Sequence, residues 1–273
     1  MEYTYSFFDY KYNIEGYHGQ DFDGPMRTVY LVFSLVTILL LAILLRKKMS
    51  RKSMTRYLRF AGLFLIVLEV AKVTWESVWD IRTGRGFNAG GILPLETCSM
   101  FMVMAPVAGF SRGKAQRCAL AWLTTVGFTA GVSVMLFPNA LKWYPFWTFG
   151  GFHSMIYHYT MVLTAVLILV TGYIRFEWKD ILRAFLAHFL CSCIVVPIDY
   201  IMGWDYMLMR EASGIPILSD FGDKMADRGM CWVITAIMYG IYFAFCALWV
   251  SVWTLLQRLL SRKKNVPDPS KAG

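Results

Sequence analysis

Apolar residues run through the chain in long stretches separated by short polar loops, and about 20 such residues make a helix long enough to cross the hydrocarbon core of a bilayer. By that measure the sequence predicts spanning helices near 27–45, 57–79, 92–110, 117–137, 153–173, 181–201 and 230–256. The expected fold is an all-α membrane protein, a bundle of seven transmembrane helices. Residues 1–26 form an N-terminal segment, 27–260 the membrane domain and 261–273 a basic tail. No repeat interrupts this reading. The polar stretch after Arg262, with Pro267 and Pro269, reads as the one disordered piece.

Composition strengthens the assignment. The apolar set makes up 57% of the 273 residues and charged residues 16%, against roughly 45–50% and 25% in soluble domains, which excludes an ordinary soluble enzyme. The net charge of +9 reports topology, because the basic residues flank the apolar runs instead of forming one amphipathic face. That distribution gives no reason to expect a nucleic-acid partner. Eighteen Lys and Arg lie in the loops after the first, third and fifth spans and in the tail, and eight lie on the opposite side. The positive-inside rule then places the N-terminus outside and the C-terminus in the cytoplasm of a multi-pass cell-membrane protein. The first 26 residues are acidic and aromatic, so no cleaved leader is expected. Cys98, Cys118, Cys191, Cys193, Cys231 and Cys246 all sit in or beside apolar segments, where free thiols are expected instead of a disulfide framework.

Ionisable side chains inside spans are costly and mark functional positions. Glu69, Lys72 and Glu76 are spaced i, i+3 and i+7, on one helix face. They read either as an internal ion pair gluing helices together or as a site for chemistry or proton movement. In the third span, Leu93-Pro94-Leu95-Glu96-Thr97-Cys98-Ser99 places Pro94 near the first helical turn. Glu96 and Cys98 are then on nearly opposite faces, so only one of them faces a given cavity. A thiol near a helix N-terminus suits a nucleophile, although cysteine also serves membrane helices as a small apolar residue.

The fifth span opens with His153 and His158, five residues apart and about 140° around a helix, a poor arrangement for one metal ion. Counted from the starts of their spans, His158 and Cys98 lie at similar depth, which a Cys–His dyad requires. His158 equally suits a structural hydrogen bond. His153 reads as a boundary residue in contact with water or headgroups, and His188 as structural. Asp199, Asp205 and Tyr206 close the sixth span, where carboxylates can orient a histidine, bind a headgroup or cap the helix. Glu76, Cys98, His158 and Asp199 are expected to converge in the outer half of the bundle. No phosphate-cradling loop, Gly-x-Ser-x-Gly elbow or CxxC pair is present. No cofactor and no metal is expected.

The Leu93–Ser99 stretch, the His153/His158 pair and Gly203-Trp204-Asp205-Tyr206-Met207 together resemble the YwaF-type bacterial membrane proteins, which are related to the transmembrane protein 164 family of animals. The likeness covers about residues 55–210. It implies a seven-helix fold and a lipid acyltransferase, with Cys98 as the acyl-accepting nucleophile, His158 as its base and phospholipid or lysolipid as substrates near the extracytoplasmic leaflet. The family has Asn where this chain has Asp205, which sets aside any role there that needs an amide donor.

Three functions therefore stand side by side. The first is a lipid acyltransferase or acyl hydrolase working through a Cys98 thioester, with Asp199, Glu76 or Tyr159 orienting the imidazole and an oxyanion donor among the backbone N–H groups near Pro94–Cys98 or the Thr97 and Ser99 hydroxyls. The second is a transporter or receptor built on Glu69, Lys72, Glu76 and Asp199. The third is a noncatalytic scaffold.

Overall fold

The computed structural model describes residues 5–10, 14, 25–137, 144–213, 215 and 218–262, and among them the regular structure is entirely helical. The tail after Arg262 and most of the acidic N-terminal segment lie outside the described residues. Ten helices follow in order: α1 (Pro25–Leu45), α2 (Arg51–Arg82), α3 (Ala89–Ile92), α4 (Phe101–Phe110), α5 (Gly113–Leu123), α6 (Val126–Leu136), α7 (Phe149–Val170), α8 (Lys179–Met202), α9 (Ser219–Asp227) and α10 (Cys231–Arg262). Five segments are long and apolar enough to cross a membrane: α1, α5 with α6, α7, α8 and most of α10. This is a multi-pass membrane protein.

Local chemistry sets several boundaries. Ser50 caps α2 by accepting the Ser53 N–H at 3.1 Å, and Thr148 caps α7 by accepting the Gly151 N–H at 3.3 Å. Gly203 ends α8 in the left-handed conformation at φ 70°. The predicted span 117–137 is divided at Thr124 and Thr125, whose hydroxyls bond back to the Leu120 and Ala121 carbonyls. The Trp253 indole N–H takes up the Thr124 carbonyl at 2.8 Å, so the break leaves that acceptor satisfied.

α2 packs along α4 and α7, α5 packs on α4 and α8, and α10 packs on α8. The contact of α2 with α4 is backbone-close: a Cβ built on Gly62 would stand 2.4 Å from Pro106 Cδ, and one on Gly109 would stand 2.8 Å from Arg59 Cγ. The main core gathers Leu58, Leu65, Phe101, Ala105, Trp122 and Met161, while the outward faces of α1 and α8 stay apolar and exposed, as a lipid-facing surface requires.

The predicted start of the third span is wrong. The helix containing Cys98 does not begin at Ile92. It begins at Cys98 with a 3₁₀ turn over Cys98–Met100 that runs into α4, and Leu93–Thr97 is non-helical. The apolar run continues through Leu93 and Leu95, but Pro94 supplies no N–H and biases Leu93 to the extended backbone it adopts, at ψ 138°. Cys98–Phe110 is therefore a helix of roughly 20 Å at 1.5 Å per residue, well short of the roughly 30 Å hydrocarbon core.

Candidate functional site

Where the short helix stops, a cavity of about 430 Å³ opens between α2, α7 and the Leu93–Thr97 segment. Non-helical backbone at membrane depth is tolerated where it lines such a polar space. Glu69, Lys72, Glu76, Glu96, Cys98, His153, His158 and Tyr206 all line it. The first consequence is a correction: Glu96 and Cys98 share one cavity, because the segment carrying Glu96 is not helical and the 100°-per-residue argument does not apply.

α2 contributes the charge. Lys72 Nζ lies 3.4 Å from Glu69 and 3.2 Å from Glu76, a partly buried cation between two carboxylates each about one turn from it. Tyr144, just ahead of α7, donates its phenol to the other Glu76 oxygen. Burial, reinforced by that carboxylate, holds the Tyr144 phenol well above its ordinary pKa, so it remains a donor. His153 is no boundary residue. It is 7% exposed and its Nε2 lies 3.0 Å from Glu69 Oε2. Counting from the predicted span start at 153 placed it at the rim, but α7 begins at Phe149, four residues earlier.

α7 also carries His158. Its Nδ1 lies 2.7 Å from the Ser154 carbonyl, which can only accept, so in the neutral ring the proton sits on Nδ1. Nε2 is then an acceptor, buried and without a hydrogen-bond partner among the described residues. The group that orients the imidazole is thus the preceding turn of its own helix, and not Asp199, Glu76 or Tyr159. No hydrogen bond joins Nε2 to Cys98, although thiol and imidazole line the same space. Their common cavity does not follow from equal depth along two helices: Cys98 opens its helix, whereas His158 lies nine residues into α7. Tyr157, between the two histidines, donates to the Ser99 carbonyl at 3.3 Å and ties α7 to the Cys98 turn. All six cysteines are free thiols.

Two expected participants stand elsewhere. Asp199 is fully buried and accepts the Tyr206 N–H at 3.1 Å, and it does not line the cavity. Asp205 organises its own loop by accepting the N–H groups of Arg210, Glu211 and Ser213, each at 2.8 Å. It too is absent from the lining. Tyr206 reaches the cavity with its phenol donated to the Ala89 carbonyl at 3.1 Å, and burial raises its pKa. Thr97 is already engaged with the Tyr242 hydroxyl at 2.8 Å.

Sequence reasoning missed Tyr10, Tyr144, Ser154 and Tyr157 in the lining. Ser154 alone carried a local signal, standing one helical turn before His158. Tyr10 arrives with the N-terminal segment, whose Phe8 carbonyl accepts the indole N–H groups of Trp75 at 2.8 Å and Trp79 at 2.7 Å.

No curated protein and no solved structure matches the chain. A family model does match, over residues 22–256, a stretch that includes α1 to α9, most of α10 and the cavity residues from Glu69 to Tyr206. On that match the chain belongs to the TMEM164 family.

Proposed function

We propose that the protein is a membrane-embedded lipid acyltransferase that works through a Cys98 thioester. The observation that carries the reading is a thiol and a histidine, its Nε2 without a hydrogen-bond partner among the described residues, on the wall of one polar cavity inside an apolar bundle. His158 Nε2 takes the Cys98 proton, and the thiolate attacks the ester carbonyl of a phospholipid. The tetrahedral adduct collapses, the ester C–O bond breaks, and the departing alkoxide recovers the proton from His158. In the second half a lysolipid hydroxyl gives its proton to His158 and attacks the thioester, which restores the thiol. Water in place of the lysolipid gives hydrolysis. The N–H groups of Cys98 and Ser99 open a helix, where the first backbone donors lack intrahelical partners, so they are the fitting oxyanion donors.

The same reading extends to topology. With α2 added to the five apolar segments, and the short helix Cys98–Phe110 completed by the non-helical Leu93–Thr97 ahead of it, the chain crosses the membrane seven times. The basic loops then fall on the cytoplasmic side and the cavity opens toward the extracytoplasmic leaflet of the cell membrane. Residues 1–26 precede the membrane domain on that outer side, and 261–273 follow it in the cytoplasm. Substrate enters laterally from the bilayer.

The test is intact-mass spectrometry of the purified chain incubated with mixed phospholipids, before and after neutral hydroxylamine. A hydroxylamine-labile acyl adduct that is absent in Cys98→Ser supports the thioester, and His158→Ala should slow its formation roughly 10²- to 10⁴-fold. Unmodified protein throughout overturns it. The partly buried Lys72 between Glu69 and Glu76, with His153 beside them, favours a second reading as a proton-coupled carrier. In that case Cys98→Ser is silent and the charged residues are essential.

A further inference from the structure

A helix normally fixes a side chain through the turn before it, and Cys98 has no such turn: the five residues ahead of it are non-helical. The backbone there is tied instead to a distant peptide. Glu96 Oε2 accepts the Met207 N–H at 3.3 Å, and the Met207 carbonyl accepts the Tyr242 hydroxyl at 3.1 Å. The Tyr242 oxygen also lies 2.8 Å from Thr97 Oγ1. A phenol has one hydrogen, and it is committed to Met207, so Thr97 is the donor in this last contact. The ring of contacts closes: Glu96 to the Met207 peptide, that peptide to Tyr242, Tyr242 to Thr97, and Thr97 back to its neighbour Glu96. Three of the four members are buried, with Met207 at 1%, Tyr242 at 8% and Thr97 at 9% exposed, while Glu96 is exposed.

Two further observations show that this ring is maintained against a cost. Met207 and Leu208 hold φ at 55° and 59°, left-handed values unfavourable for side chains of that size, and such conformations persist where surrounding contacts over-determine them. The Tyr242 ring also packs against the His188 ring, with centroids 3.9 Å apart and planes tilted by 40°. His188 is fully buried and neither of its nitrogens has a hydrogen-bond partner among the described residues, so its contribution at Tyr242 is ring packing.

We infer that Tyr242 is a positioning residue for Cys98: its hydroxyl, with its ring packed against His188, joins Thr97 to the Met207 peptide and holds the non-helical backbone in front of the thiol. The inference rests on the reading of Cys98 as nucleophile. It also explains why Thr97 is not the oxyanion donor, since its only hydroxyl hydrogen is used in the clamp.

Tyr242→Phe removes the hydroxyl and keeps the ring on His188, and Thr97→Val removes the partner hydroxyl at nearly constant volume. Two rates are measured on the full chain in detergent–phospholipid micelles: acyl transfer resolved into kcat and KM, and modification of Cys98 by a small maleimide, followed on its peptide by mass spectrometry. Each single variant should lower kcat roughly 10- to 100-fold with KM unchanged, the loss that a small misplacement of a reacting group produces. Each should also speed maleimide modification, because the thiol is no longer held. Because both variants break one link, the double variant should be no worse than either, and Thr97→Ser should behave like the native chain. Native-like rates in Tyr242→Phe, or losses that multiply in the double variant, overturn the clamp. If the native chain transfers no acyl group, the functional reading fails by itself and the maleimide rates alone decide: acceleration in both single variants sustains the clamp, and unchanged rates remove it.

Discussion

Replacing Lys72 by Met tests whether the charge cluster holds the cavity together. Lys72 is 14% exposed and lies 3.4 Å and 3.2 Å from the two carboxylates. At an effective dielectric of about 20 each contact is worth roughly 5 kcal/mol of gross Coulomb energy. Most of that is offset by desolvation of the ions, and removing one partner of a buried pair typically costs about 3–5 kcal/mol. The damage should fall unevenly. Glu69 keeps His153 at 3.0 Å, whereas Glu76, 1% exposed, is left among the described residues with only the Tyr144 phenol. Lys72→Met should therefore lower the thermal midpoint on the order of 10 °C, read from tryptophan fluorescence in detergent, with ten tryptophans as reporters. Adding Glu76→Gln should recover much of the loss, because it removes the orphaned charge, and adding Glu69→Gln should recover less. An unchanged midpoint in Lys72→Met, or equal recovery by the two second substitutions, would refute the reasoning.

Two other expectations concern residues outside the proposed chemistry. Asp205→Ala deletes the acceptor of three backbone N–H groups and should destabilise the chain by about 2–4 kcal/mol, while Asp205→Asn, which keeps one carbonyl oxygen for the Arg210 and Glu211 N–H groups, should lose less; thermal unfolding separates the two. Gly62→Ala places a methyl 2.4 Å from Pro106 Cδ and should push α2 from α4 at a cost of about 1–3 kcal/mol, seen as a lower midpoint; a neutral result would mean that the two helices separate freely.

Much of the helical layout was legible because burial in lipid selects long apolar runs, which need no tertiary information to recognise. The α2 face was legible for the same reason in reverse: Glu69, Lys72 and Glu76 are polar where nothing polar is cheap, and helical spacing alone puts them together. What escaped reading was every place where an apolar run is not a continuous helix. Leu93-Pro94-Leu95 keeps hydropathy high while Pro94 disfavours the turn, and Thr124-Thr125 divides α5 from α6 through hydroxyls that bond back to the chain. Partners far apart in sequence were equally hidden, as with Thr97 and Tyr242, 145 residues apart.

These misread stretches are also where the candidate chemistry lies, and the link is physical. A helix reaching from Ile92 to Phe110 would satisfy its own backbone and turn Glu96 and Cys98 to different sides, leaving no room for a polar space at that level. Stopping at Cys98 shortens the helix to roughly 20 Å, frees its first N–H groups and creates a need for polar partners in the gap. Glu96, the Met207 peptide and Tyr242 meet part of that need, and the α2 charges with the two histidines line the remaining volume. Extending the helix by Pro94→Ala should not restore it, because Glu96 and Thr97 would have to give up their bonds to Met207 and Tyr242. The variant is therefore expected to keep the native circular-dichroism helix content, and a measurable gain of helix would show that Pro94 alone, and not the clamp, sets where this helix begins.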